Sequence, residues 1–240
     1  MQSPIHTQTE LPSRERVLAI CAHPDDMESW CGGTLALLVE RGCEVRLAVC
    51  TAGEKGSADR GLTTMAVAAT RISEQRAAAA RLGITAVRFL DGRDGELEDT
   101  LNFRAQIVRL LREFQPAYVF THDPERPYPP YIAHRDHRVV GRAVLDAAYP
   151  AARDHHYFPE QIAEGLPTHA VSQAWLFASL IATTAVDISS TLERKIVARL
   201  DHRSQTSDPD ELRIAWRERA AAIGAPFGLS AAETFTVVQF

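Results

Sequence analysis

Residues 22–28 read Ala-His-Pro-Asp-Asp-Met-Glu, which puts one imidazole and two carboxylates, His23, Asp25 and Asp26, into one short stretch. Such donors suit a single metal ion. A catalytic site of this kind takes three protein ligands and keeps one position for water. Neighbouring residues on an irregular turn point apart. One of Asp25 and Asp26 therefore joins His23 on a metal, and the other is left as a base. The third ligand must be a distant histidine at the end of another strand. Residues 117–138 offer it: an apolar run (117–121), a proline-rich loop, then His134-Arg135-Asp136-His137. Each cluster alone has a plainer explanation, a helix cap for Asp-Asp and surface decoration for His-x-x-His. Two such clusters, each placed where a buried strand ends, favour one shared site at the carboxyl edge of a sheet.

The elements that must hold these residues are legible as alternating apolar runs. Strands are expected at 17–22, 44–51, 86–90, 117–121, 174–179, 184–188 and 233–239. Helices are expected at 29–41, 66–82, 102–114, 137–148, 191–200 and 209–223, with Thr191 and Asp208 as N-caps. Strands alternating with helices predict an α/β fold, a Rossmann-like, mostly parallel sheet with helices on both faces. Residues 1–14 read as a flexible tail and 15–240 as a single domain. Residues 52–65 form a long loop with the character of a lid. Asp91-Gly92-Arg93-Asp94-Gly95 sits at the sheet edge. Asp91 or Asp94 there could meet a sugar hydroxyl, although Asp-Gly turn chemistry accounts for the same residues. His155 and His156 are expected in solvent.

A chain of 240 residues with 45% hydrophobic and 24% charged residues has the composition of a globular domain. Its net charge of −5 argues against a nucleic-acid partner. No apolar stretch is long enough to cross a bilayer and no signal-peptide core is present. The four cysteines, Cys21, Cys31, Cys43 and Cys50, form no Cys-x-x-Cys pair. They read as buried free thiols in a reducing cytoplasm, and zinc-ribbon or thioredoxin readings fail. No Gly-x-Gly-x-x-Gly follows the first strand, so no dinucleotide is implied.

The two motifs together resemble the LmbE-like, or PIG-L, zinc-dependent de-N-acetylases. Ala22 to Glu28 followed by Cys31-Gly32-Gly33-Thr34-Leu35-Ala36 is similar to the family's opening motif. His134 to Arg138 is similar to its second, with Arg135 where proline is usual. Fainter echoes lie at residues 51–56, at Arg71, Glu74 and 77–83, and at His202-Arg203-Ser204-Gln205. The resemblance spans roughly residues 15–237 and implies one zinc ion per chain, held by His23, Asp26 and His137. It implies Asp25 as general base. His134, oriented and charged by Asp136, would assist the tetrahedral intermediate and the leaving group. Arg71, Asp91, Tyr131 and His202 become candidate substrate contacts, and the aromatic loop from Tyr128 to Tyr131 a candidate for substrate selection.

The implied reaction is hydrolysis of an N-acetyl group on a glucosamine-containing small molecule. Metal-polarised water and an aspartate base overcome the inertness of the amide. A carboxylate with two histidines also suits ferrous iron. The rival readings are a metal-dependent phosphoesterase and a non-catalytic sugar- or metal-binding module. A homo-oligomer is a modest expectation carried by the resemblance alone.

Overall fold

The computed structural model describes residues 6–7, 11–126 and 133–240 of the chain. Among these, eight strands make one mixed sheet: β1 (His6–Thr7), β2 (Arg16–Cys21), β3 (Glu44–Thr51), β4 (Ala86–Gly92), β5 (Tyr118–His122), β6 (Gln173–Phe177), β7 (Thr184–Asp187) and β8 (Ala232–Gln239). Their order is β1-β7-β8-β6-β5-β2-β3-β4. Strands β2 to β6 are mutually parallel, and β8 runs antiparallel to both β6 and β7. The helices are α1 (Asp26–Trp30), α2 (Gly32–Glu40), α3 (Thr64–Arg81), α4 (Leu101–Phe114), α5 (Arg135–Asp146), α6 (Pro159–Ala163), α7 (Leu192–Leu200) and α8 (Pro209–Gly224).

Strand β2 shows why the sheet is covered on both sides. Its side chains alternate, so Val17, Ala19 and Cys21 enter one apolar cluster with α2, α3 and α7. Leu18 and Ile20 enter the other, with α4 and α5. A strand buried on both faces reads as a continuous apolar run, as this one does. The chain moves outward from β2 to β3 and β4, then returns to place β5 on the other flank of β2. The order therefore reverses between β2 and β5, and a crevice opens beyond their carboxyl ends.

Three local expectations change. The helix expected from residue 29 is two helices, broken at Cys31. The break lets Glu233 of β8 cap the second one. Its carboxylate accepts from the backbone N–H of Gly33 (3.0 Å) and Thr34 (2.8 Å) and from the Thr34 hydroxyl (2.6 Å). Gly33 has no room for a side chain, since a Cβ there would meet Ile188 at 2.9 Å. Thr191 does not cap α7 with its side chain; its hydroxyl donates to the Gly33 carbonyl at 2.8 Å. Asp208 does cap α8. Part of the expected N-terminal tail is ordered, for His6–Thr7 adds a short strand parallel to β7.

Glu233 also pairs with buried Lys195 at 2.6 Å. Removing it leaves a buried ammonium and two helix N–H groups without their acceptor. Glu233→Ala is expected to cost about 3–5 kcal/mol, read from the shift in urea unfolding midpoint. A loss below about 1 kcal/mol contradicts the capping role.

Candidate metal centre

Strand β2 ends where the Ala22 carbonyl accepts from both the N–H and the hydroxyl of Thr51. The next residues turn sharply: Asp25 lies in the left-handed region at φ 83° and opens α1. The turn directs His23, Asp25 and Asp26 to one side. Across the crevice, His122 ends β5, His134 is the N-cap of α5 and His137 lies in its first turn.

Three side chains converge here. His23 Nδ1 lies 3.2 Å from His137 Nε2. Asp26 Oδ1 lies 3.1 Å from His137 Nε2, and its Oδ2 3.5 Å from His23 Nδ1. Donors held about 2.0–2.2 Å from a tetrahedral ion stand about 3.3–3.6 Å apart, so the spacing is near what one ion needs, with two of the three separations slightly short. Their outer partners fit as well. A ligating histidine usually donates its second ring N–H to a carboxylate. His23 Nε2 lies 3.2 Å from both Asp136 Oδ2 and Asp94 Oδ1.

The electrostatics of the crevice differ from group to group. Burial disfavours a charge on His23, yet hydrogen bonds to Asp136, Asp26 and Asp94 outweigh it and raise its pKa well above the ordinary value. Burial likewise works against the Asp26 carboxylate, but the His137 and His122 imidazoles beside it bring its pKa well down. For Asp25 burial prevails and raises the pKa, against the pull of Arg199 and Arg71. Those guanidinium groups lie 3.2 Å from Asp25 Oδ2 and 3.6 Å from Oδ1.

A scan for family models matches residues 18–148 to PIG-L, GlcNAc-PI de-N-acetylase. The chain belongs to the PIG-L family. It is 30% identical over 214 residues to diacetylchitobiose deacetylase of Thermococcus kodakarensis, covering 89% of this chain and 78% of that one. It is 29% identical to 1D-myo-inositol 2-acetamido-2-deoxy-alpha-D-glucopyranoside deacetylase of a Mycobacterium strain, covering 80% and 74% of the two chains. The solved N,N'-diacetylchitobiose deacetylase of Pyrococcus horikoshii superposes with a TM-score of 0.87 at 30% identity, over 94% of this chain and 84% of that one.

Within this PIG-L fold the residues singled out from sequence fare unequally. His23, Asp26, His134, Asp136 and His137 lie together, and Asp25 lines the cavity that Asp26 and His137 also line. The Asp136 carboxylate, however, does not pair with His134. It accepts from the backbone N–H of Gly95 (2.7 Å) and Leu97 (3.3 Å) and faces His23. The backbone N–H of Asp136 is what meets His134, donating to its Nδ1 at 3.2 Å. Burial and the neighbouring His23 lower the His134 pKa, so a charged His134 is not supported. Asp91 is exposed on β4, while Asp94 is buried against His23.

Arg71 is buried behind the turn, donating to the carbonyls of Gly53 and Pro24, both at 2.8 Å. Gly53 takes φ 62°, and a Cβ there would collide with that guanidinium. His202 is wholly buried and does not line the cavity. The inner part of the 52–65 loop is tied down, with Lys55 N–H donating to Asp94 and the Gly56 carbonyl accepting from Gln205. His155 and His156 are exposed beside Asp154. Tyr128 and Tyr131 lie outside the described residues.

Sequence reasoning missed His122. Its ring stacks on His137 at 4.1 Å, its Nε2 lies 3.3 Å from Asp26 Oδ2, and burial pushes its pKa down to about 4. The signal was available, since His122-Asp123-Pro124 ends a strand much as His23-Pro24-Asp25 does. His23→Ala and His137→Ala are each expected to abolish stoichiometric uptake of a divalent metal, with the fold retained by circular dichroism. His155→Ala is expected to keep it. Equilibrium dialysis with metal analysis checks this, and full occupancy in either inner variant contradicts the assignment.

Proposed function

We propose that this chain is a metal-dependent amidohydrolase that removes the acetyl group from a small N-acetylglucosamine-containing molecule, with zinc as its metal. One observation carries the reading. Beside a three-residue set that could hold a single ion stands Asp25, which is not part of the set and lines the same cavity as Asp26 and His137. A site that only bound metal would have no use for that spare base.

When bound, the metal supplies Lewis acidity toward the acetamide carbonyl and toward water. Asp25 takes the proton from water as its oxygen bonds to the carbonyl carbon. Burial raises the pKa of Asp25 toward the range where a base can later return the proton. His134 acts as a neutral donor. Its Nδ1 accepts from the Asp136 N–H, so its proton sits on Nε2, available to the oxygen that gains negative charge. The carbon–nitrogen bond then breaks, and Asp25 passes its proton to the departing amine. Acetate and a free amino sugar result.

A cavity of about 650 Å³ reaches from Asp25, Asp26 and His137 to Trp30 and Trp216, with Arg126 and Arg219 on its wall. That is far more than an acetamide fills. The indole faces suit a second sugar ring or another flat substituent on the glucosamine.

Zinc-loaded protein is expected to release primary amine from a panel of mono- and disaccharide N-acetylglucosaminides, and a chelator is expected to abolish it. Asp25→Asn should keep its zinc and lose about 10²–10⁴ in turnover. Trp216→Ala should erase any preference for the disaccharide while sparing the monosaccharide. Amine release that survives both chelation and Asp25→Asn overturns the mechanism.

A further inference from the structure

Glu28 is fully buried, two residues beyond the turn that carries Asp25 and Asp26. Two side chains meet it, both from distant parts of the chain. Gln75 Nε2 donates to Oε1 at 2.8 Å, and His202 Nε2 lies 3.3 Å from Oε2. His202 is itself 0% exposed. A backbone N–H can only donate, so the one on Asp25 fixes the Gln75 amide with its nitrogen toward Glu28. That choice turns the Gln75 carbonyl oxygen the other way. There it accepts from the backbone N–H of Asp25 at 2.9 Å.

The bond falls on a residue that needs it. Asp25 holds φ 83°, a conformation that costs a non-glycine residue about 1–2 kcal/mol. In this conformation its carboxylate meets Arg199 and Arg71, and the residue lines the cavity with Asp26 and His137. Other backbone angles would swing it away. We infer that Gln75, oriented by Glu28 and His202, is a positioning residue that fixes the backbone of Asp25 and so aims the base. The inference rests on Asp25 being that base. It adds a buried relay running from α7's far end through α1 and α3 to the reacting group.

The test is Gln75→Met, which keeps the volume and removes the acceptor. The Asp25 amide proton, followed by nitrogen–proton NMR of zinc-loaded protein, is expected to shift and to exchange faster with solvent. Zinc content is expected to stay at one per chain. Turnover should fall about 10–100-fold with KM unchanged. Placed on Asp25→Asn, the same change should cost nothing more, because it acts through Asp25. The reciprocal pair Glu28→Gln with Gln75→Glu keeps the acceptor for the Asp25 N–H, reverses the bond between positions 28 and 75, and should restore amide protection and turnover. An unmoved Asp25 amide in Gln75→Met overturns the inference, as does an equal loss of turnover on the Asp25→Asn background. A moved amide in a protein whose wild type releases no amine upholds the positioning and instead defeats the hydrolase reading.

Discussion

The structure turns on one convergence. Two imidazole nitrogens and a carboxylate converge in a largely buried crevice, each within 3.5 Å of the next. With both imidazoles neutral, a cation makes such a convergence favourable. No single element can build it. His23 and Asp26 come from the end of β2, and His137 from the start of α5, more than a hundred residues later. They meet because β2 and β5 are neighbours at the place where the strand order reverses.

Around that point the chain supplies layers of fixed partners. Asp136 and Asp94 hold the far nitrogen of His23, and Asp136 is held in turn by the N–H groups of Gly95 and Leu97. His122 backs Asp26 and His137. Arg71 threads the Gly53 and Pro24 carbonyls behind the turn. This much buried polarity is costly. Two apolar clusters, one on each face of the sheet, offset the cost and keep the loops at their distances.

Much of this was legible in the sequence. Short apolar runs marked β2, β3 and β5, and the two His-Asp clusters pointed to the site because both follow buried strands. What was hidden depended on geometry that no local pattern carries. His122 stands one residue past the expected strand at 117–121, a lone imidazole. Asp94, rather than Asp91, reaches His23; β3 and β4 pair with a register shift between Val49 and Thr51 that carries β4 on to Gly92. The family resemblance matched Asp136 to His134. In the fold, His134 is a helix N-cap, so it takes the backbone N–H of Asp136, and the carboxylate turns to other donors. Glu28, Gln75 and His202 meet across 47 and 174 residues, which periodicity cannot reveal.

The central claim is that His23, Asp26 and His137 form the inner set around one ion. X-ray absorption at the zinc edge of the loaded protein tests it most directly. The account predicts two imidazoles and only nitrogen or oxygen neighbours, at about 2.0–2.2 Å. A sulfur neighbour at about 2.3 Å, which one of the buried cysteines would have to supply, or fewer than two imidazoles, would contradict it.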